Sequence, residues 1–180
     1  MAPLSTSQDV KAARILLTGM MGAGKSTVGR AIAARTGWTY LDNDELVKLA
    51  TGRPTPEVLA GSDEATLRRV ERAALDAALA APTPLVASVA AGVVLDAAAR
   101  LLMHDRAFVV YLRATVATLT ARVGDGSGRP WLGDDVPGAL ARLLDGREAL
   151  YLQAADLVLD VDMASPDELS VRIVSAWSAS

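Results

Sequence analysis

The residues best suited to chemistry lie together in one stretch near the start of the chain, at positions 19–26. This stretch reads Gly-Met-Met-Gly-Ala-Gly-Lys-Ser, which fits the phosphate-binding pattern of a glycine, four variable residues and Gly-Lys-Ser/Thr. A short apolar run precedes it and a helical pattern follows it, as the motif requires. We therefore predict a site for the phosphates of a nucleoside triphosphate rather than a glycine-rich turn without a ligand.

The residue types in this loop suit phosphate binding. Backbone N–H groups that converge on one anion need dihedral angles that glycine tolerates. The helix that follows directs its unpaired N–H groups and the positive end of its dipole at the same anion. Lys25 is expected to reach the β- and γ-phosphates, and the Ser26 hydroxyl is expected to complete the coordination shell of Mg2+.

Two aspartates, Asp42 and Asp44, follow a short strand candidate at 39–41. Acidic residues at the start of a helix often serve only as caps and as partners of the helix dipole, and that interpretation is strong for Glu45. It is weaker for Asp42 and Asp44, because they lie at the carboxyl end of a strand. In an open parallel sheet this edge is where ligands bind, so both aspartates are candidate site residues.

Two arginines outside the loop are candidates for binding charged groups. Arg68 lies three residues before Glu71 on a predicted helix, and the simplest interpretation is a solvated ion pair that contributes about 0.2–0.5 kcal/mol. Arg129 lies in the middle of a glycine-rich, polar segment at 124–135. A mobile lid is the functional interpretation of that segment. A plain surface loop is the alternative, and composition alone favours it.

The rest of the chain alternates apolar runs with helical patterns. This alternation predicts an α/β fold, a three-layer sandwich around a five-stranded parallel sheet. Because the glycine loop follows the first strand, the fold is expected to be that of the P-loop proteins. The chain of 180 residues is expected to form one domain, 1–180, with 1–12 as a loose tail. The predicted strands are 14–18, 39–41, 85–89, 108–112 and 157–161, and the predicted helices are 27–35, 46–50, 56–59, 63–80, 95–103, 115–123, 136–152 and 166–177.

Composition argues against several functional classes. The net charge of -3 shows no basic excess, which argues against nucleic-acid binding. The absence of cysteine excludes disulfides and thiolate metal sites and fits a reducing compartment. No apolar run approaches the roughly 18 residues of a membrane span, and the first residues lack a signal-peptide core. We expect a cytoplasmic protein with no membrane partner, and a monomer.

From about Arg14 to about Trp177 the sequence resembles the shikimate kinase family. Several motifs in the family's order carry this resemblance, which is more specific than the phosphate loop alone. They are the loop at 19–27, Leu41-Asp42-Asn43-Asp44 as the Asp-x-Asp element, Leu67-Arg68-Arg69-Val70-Glu71 as the Phe-Arg-x-x-Glu element, Arg129-Pro130-Trp131-Leu132 as the lid motif, Arg147 with Tyr151, Arg122, and the adenine loop from Asp162 to Pro166.

The resemblance implies a strand order of 2-3-1-4-5, a lid that closes on binding, and phosphorylation of a shikimate hydroxyl by ATP with Mg2+. The product is shikimate 3-phosphate, a precursor of aromatic amino acids. Asp42 would hold a magnesium-bound water, Asp44 the acceptor hydroxyl, and two arginines the acceptor carboxylate. The implied residues are Lys25, Asp44 and Arg129 for catalysis; Gly22, Ala23, Gly24, Lys25, Ser26, Thr27, Arg122, Arg129 and Pro166 for ATP; Asp44, Arg68, Ala91, Gly92 and Arg147 for the acceptor; and Ser26 and Asp42 for the metal.

The departures from the family lie in the acceptor half. Ala90-Ala91-Gly92 stands where the family has three glycines, and Leu59 and Leu67 stand where it often has phenylalanines. The added methyl groups are expected to narrow the site or to alter its backbone dihedral angles, and the leucines to change the shape of the pocket. These changes keep open a kinase for another small carboxylated polyol or cyclitol, such as a gluconate-like acid.

A non-catalytic nucleotide-binding module is a third possibility. It would require a broken metal or acceptor site, and the presence of Asp42, Asp44 and Arg129 argues against it. A nucleoside monophosphate kinase is also disfavoured, because the acceptor side offers a carboxylate clamp and no platform for a base.

Overall fold

The computed structural model describes residues 13–60, 62–126 and 132–180, except for the side chain of Leu59. These residues build a parallel sheet whose strand order is β2-β3-β1-β4-β5. The predicted α/β class and the predicted order are confirmed. The five strands are β1 (Arg14–Thr18), β2 (Thr39–Leu41), β3 (Leu85–Ser88), β4 (Phe108–Arg113) and β5 (Leu157–Asp160).

The central strands are buried on both faces of the sheet. In β1, Leu16 has no exposed surface and pairs with Ala87 of β3 on one side and Val109 of β4 on the other. Helices cover both faces, so these strands have unbroken apolar sequences rather than alternating ones. The carboxyl ends of the strands therefore form the edge that is open to a ligand.

Nine α-helices and a short 3-10 turn surround the sheet in the described part of the chain. The first helix packs against the last, and the second packs along the fourth. The helices are α1 (Lys25–Thr36), α2 (Asn43–Thr51), α3 (Thr55–Leu59), α4 (Glu64–Ala80), α5 (Ala97–Arg106), α6 (Val116–Val123), α7 (Val136–Asp145), α8 (Glu148–Ala154) and α9 (Pro166–Ser178), with the 3-10 turn at Val93–Leu95.

The predicted helix at 136–152 was wrong, because the structure divides it into α7 and α8. The N–H of Gly146 donates to the carbonyl oxygens of Arg142 and Leu144 and ends α7, and Arg147 then caps α8 with non-helical dihedral angles. Glycine is a poor residue for a helix interior, and this break turns Arg147 toward the edge of the sheet that carries the site. The predicted helix at 95–103 also starts later, because the Asp96 carboxylate accepts from Ala98 N–H and begins α5 at Ala97.

The segment predicted as a lid is described only at its ends. A Cβ atom on Gly126 would lie 3.1 Å from Cγ2 of Val136, so the two ends of the segment approach each other. Arg129 and Trp131 fall outside the described residues, and the lid remains a prediction. Within the described ranges, no helix combines the length and apolar character needed to cross a membrane.

Candidate active site

The loop between β1 and α1 has the backbone geometry that its glycines permit. Gly19, Gly22 and Gly24 have φ angles of 137°, 81° and 94°, values in the left-handed region that side chains disfavour. Gly24 caps α1, which begins at Lys25 rather than at Thr27. Lys25 and Ser26 therefore stand in the first helical turn, where unpaired N–H groups attract an anion.

Lys25 is folded back onto the loop that precedes it. Its ammonium group donates to the carbonyl oxygens of Gly19 and Met20, at 2.8 and 3.0 Å. Burial lowers the pKa of Lys25 to about 8, while the nearby charge of Asp42 opposes that shift. The lysine is thus held at the phosphate loop by groups that a bound phosphate can replace.

Ser26 and Asp42, the two residues predicted to hold the metal, are in direct contact. The Ser26 hydroxyl donates to the Asp42 carboxylate at 2.8 Å, and hydrogen bonds from Asp44 N–H, Ser26 and Tyr40 lower the pKa of Asp42 despite its burial. No group of three or more His, Cys, Asp or Glu side chains in the described ranges could hold a metal ion by itself. One hydroxyl and one carboxylate fit Mg2+, which in kinases takes its other ligands from water and nucleotide phosphates.

Asp42 also caps α2. The structure therefore combines helix capping and a position at the candidate metal site, which the sequence analysis treated as alternatives. Its Oδ1 accepts from Asp44 N–H at 3.1 Å, and Oε2 of Glu45 accepts from Asp42 N–H at 2.7 Å. The capping interpretation of Glu45 is confirmed. Asp42 uses its other oxygen for Ser26, so capping fixes its orientation and does not exclude a role at the metal.

Sequence reasoning missed Tyr40 as part of this network. Its hydroxyl lies 2.8 Å from Oγ of Ser88 and 3.3 Å from Oδ2 of Asp42. A Cβ atom on Gly29 would overlap the Tyr40 ring, so Gly29 makes room for it beside α1. The spacing of Tyr40 and Asp42 could have indicated this contact, because residues two apart on a strand point to the same side.

A cavity of about 870 Å³ opens beside the phosphate loop at the carboxyl edge of the sheet. It gathers the predicted residues of catalysis and acceptor binding that the structure describes: Lys25, Asp44, Arg68, Ala91, Gly92 and Arg147. These residues come from five separate segments of the chain. Their convergence on one cavity was expected from the resemblance and not from their spacing.

Arg68 is held in this cavity by carboxylates on its own helix. Its guanidinium pairs with Glu71 and, at 3.3 Å, with Glu64. The Arg68 and Glu71 side chains are only 30% and 12% exposed, so the interpretation of a solvated surface pair was wrong. The backbone of Gly92 lies against this pair, where an alanine methyl group would overlap both side chains.

The two alanines before Gly92 do not require an unusual backbone conformation. Ala90 and Ala91 both have negative φ angles, which any L-residue adopts. Their methyl groups therefore do not force the loop into a disfavoured conformation. Leu67 lines the cavity, as predicted for this position, while the side chain of Leu59 lies outside the described residues.

The cavity also contains polar groups that the sequence did not single out. Oδ1 of Asn43 and Oγ1 of Thr55 are buried and have no hydrogen-bond partner in the described ranges. Arg142 lines the same wall and lies 3.6 Å from an oxygen of Asp135. The spacing of Ala139, Arg142 and Leu143 could have indicated that Arg142 faces the cavity, because residues three and four apart share one face of α7.

A second cavity, of about 230 Å³, lies on the other side of the phosphate loop. Its walls include Ala23, Gly24, Thr27, Arg122 and Pro166, all predicted to bind the nucleotide. The Arg122 guanidinium donates to the carbonyl oxygens of Gly22, Ala23 and Val161, each at 3.3 Å. These bonds tie the phosphate loop to the turn after β5, where the resemblance places the adenine.

Comparisons with known proteins agree with this geometry. The family model described as shikimate kinase matches residues 21–178. A shikimate kinase of Salinibacter ruber is 39% identical over 92% of this chain and 85% of its own length, and one of Stenotrophomonas maltophilia is 37% identical over 92% and 94%. The solved structure of a shikimate kinase from Acinetobacter baumannii in complex with shikimate is 28% identical, with a TM-score of 0.84 over 97% of this chain and 98% of that one.

Proposed function

Since this chain belongs to the shikimate kinase family, it is an ATP-dependent small-molecule kinase, and we propose that the two cavities flanking its phosphate loop carry out the reaction. The reaction transfers the γ-phosphoryl group of ATP to a hydroxyl of shikimate and gives shikimate 3-phosphate. The observation that carries the proposal is the convergence of Lys25, Asp44, Arg68 and Arg147 on one cavity.

The smaller cavity would hold the nucleotide. Arg122 and Pro166 would flank the adenine, and residues 22–27 would surround the phosphates with backbone N–H groups. Lys25 would leave the carbonyl oxygens of Gly19 and Met20 for the β- and γ-phosphates. Its ammonium would then neutralise charge that develops on the transferring group, which is the main task in phosphoryl transfer.

Ser26 and Asp42 would hold Mg2+, the Ser26 hydroxyl as a direct ligand and Asp42 through a bound water. The ion supplies charge neutralisation at the β- and γ-oxygens. The chain's own contribution is to hold the two side chains 2.8 Å apart, in an orientation set by the cap of α2. The Tyr40 hydroxyl donates to that carboxylate from the side of the sheet and is itself hydrogen-bonded to the Ser88 hydroxyl.

The larger cavity would hold the acceptor. Asp44 would orient the attacking hydroxyl, and orientation is its main role because a carboxylate is a weak base for an alcohol at neutral pH. Arg68 and Arg147 would bind the carboxylate of shikimate, since the planar guanidinium pairs with two oxygens at once. Arg129, outside the described residues, is proposed to close over the phosphates with the lid.

The alternative acceptor, a gluconate-like acid, was motivated by Ala90, Ala91 and the leucines. The negative φ angles of both alanines remove one reason for it. We also infer that the chain is a cytoplasmic monomer. Its net charge of -3 supports the further inference that it binds no nucleic acid. Size-exclusion chromatography with light scattering tests the oligomeric state.

A coupled ADP-release assay with ATP, Mg2+ and a panel of hydroxy acids tests the function. Shikimate is expected to give turnover well above that with gluconate or quinate. Arg68→Ala and Arg147→Ala are expected to raise the KM for shikimate far more than the KM for ATP. Arg72→Ala is the matched control, because Arg72 lies one turn after Arg68 and pairs instead with Asp76 and Asp96. Unchanged shikimate KM in both clamp variants would refute the proposed clamp.

A further inference from the structure

Two stacked tyrosines lie behind the acceptor cavity. Tyr111 of β4 and Tyr151 of α8 have no exposed surface, and their ring centroids are 4.8 Å apart with an interplanar angle of 19°. Neither belongs to the wall of the cavity. The two tyrosines are alike in burial and ring packing. The contacts of their hydroxyl groups are therefore the feature that distinguishes them.

The two hydroxyls differ sharply in this respect. The Tyr151 hydroxyl donates to the carbonyl oxygen of Ala91 at 2.7 Å and lies 3.6 Å from the sulfur of Met20 in the phosphate loop. The Tyr111 hydroxyl is buried and finds no hydrogen-bond partner in the described ranges. Burial raises the pKa of Tyr151 far above that of a free tyrosine, so its hydroxyl keeps the proton that it donates.

This hydrogen bond fixes the direction of a peptide group in the acceptor site. The peptide between Ala91 and Gly92 is planar and trans, so its carbonyl and its N–H point in opposite directions. With the carbonyl held by Tyr151 from behind, the N–H of Gly92 is directed away from Tyr151. Gly92 itself contributes to the cavity wall and lies against the Arg68–Glu71 pair.

The same tyrosine lies beside the second arginine of the clamp. Arg147 caps α8 four residues before Tyr151, and its nearby positive charge opposes the rise that burial causes in the pKa of Tyr151. The Tyr151 N–H also donates to the carbonyl oxygen of Arg147 at 2.9 Å. Tyr151 thus joins Arg147 on one wall of the cavity to the Ala91–Gly92 peptide on another.

We propose that Tyr151 is a positioning residue for the acceptor, holding the Ala91–Gly92 peptide and Arg147 in the relative geometry that a small carboxylated substrate requires. The proposal deepens the proposed function and rests on it. Tyr151 lines neither cavity, so its hydroxyl acts through groups that do. The expected effect of losing it is therefore selective for the acceptor and not for the nucleotide.

The test compares Tyr151→Phe with Tyr111→Phe, which remove a bonded and an unbonded hydroxyl from the same stacked pair. Tyr151→Phe is expected to raise the KM and the Kd for shikimate by about five- to tenfold, as for the loss of one buried hydrogen bond. The KM for ATP is expected to change little, and the melting temperature is expected to fall by only a few degrees. Tyr111→Phe is expected to leave both KM values within about twofold of the wild type.

A shift of the Gly92 amide resonance in the nitrogen–proton NMR spectrum of Tyr151→Phe, absent in Tyr111→Phe, would support the proposal without any assay. Equal effects of Tyr151→Phe on the two substrates, with a matching loss of melting temperature, would indicate a purely structural role and overturn it. An unchanged shikimate affinity would also overturn it. Failure of the proposed function itself is distinguishable, because the wild-type protein would then give no turnover with shikimate.

Discussion

Gly92 lies so close to Arg68 that a methyl group on it would displace the ends of the Arg68 and Glu71 side chains. A Cβ atom built on Gly92 would fall on the Arg68 guanidinium and would come within 2.5 Å of Oε2 of Glu71. The φ angle of Gly92 is -87°, a value that any residue adopts. The contact with these two side chains, and not the backbone conformation, therefore distinguishes glycine from alanine at this position.

Gly92→Ala should therefore damage the acceptor site selectively. The methyl group would displace Arg68, and misplacement of a binding group by about 1 Å costs up to about a hundredfold in rate. We expect the kcat/KM for shikimate to fall about tenfold to a hundredfold while the KM for ATP stays near the wild-type value. An unchanged kcat/KM for shikimate in Gly92→Ala would show that Arg68 and Glu71 accommodate the methyl group without loss of function.

Lys25→Met should abolish phosphoryl transfer and leave the fold intact. The hydrogen bonds recorded for the lysine go to backbone oxygens of its own loop, so its loss chiefly removes charge neutralisation. We expect kcat to fall by about a hundredfold or more, with an unchanged circular dichroism spectrum. Lys48→Met, at an exposed position on α2, should retain full activity. Near-normal turnover in Lys25→Met would contradict the assignment of residues 19–26 as the phosphate-binding loop.

The affinity for nucleotide should depend on pH through Lys25. The pKa of this lysine is lowered to about 8 in the free protein, and a bound phosphate favours the charged form and raises it again. Above pH 8 the free lysine loses its proton, so binding must restore it and the affinity for ATP should fall about tenfold per pH unit. Calorimetric titration without acceptor between pH 7 and 10 measures this slope. Lys25→Arg, whose charge persists over this range, should make the ATP affinity nearly independent of pH. An equal slope in both proteins would show that a group other than Lys25 is titrating.

Asp42→Asn should raise the Mg2+ concentration that the enzyme requires. The carboxylate is placed against Ser26, and loss of a partner in the outer shell of a metal typically costs about tenfold or more in metal affinity. Titration of the nucleotide complex with Mn2+, followed by electron paramagnetic resonance, reports this affinity without turnover. Asp105→Asn, at an exposed position on α5, provides a comparison that should bind metal normally. An unaltered metal affinity in Asp42→Asn would place the ion elsewhere.

Much of the fold was predictable because its signals are local. The apolar runs of β1, β3 and β4 and the glycine loop before α1 marked a parallel sheet with a phosphate site at its edge. The errors arose where local pattern and tertiary context disagree. The apolar periodicity of 136–152 continues through Gly146, yet the chain breaks there and places Arg147 at the start of α8.

The candidate site also has one part that local sequence predicts and another that depends on tertiary structure. The glycine loop, Lys25 and Ser26 are contiguous, so the amino-acid sequence by itself determined the prediction of how phosphate is held. The resemblance predicted the acceptor residues, but their partners come from distant segments that only folding brings together. The fit of Gly92 against Arg68, the support of Asp42 by Tyr40 and the bond from Tyr151 to Ala91 were decided by tertiary structure alone. Spacing along the chain cannot reveal such contacts, because they depend on how strands and helices pack across the sheet.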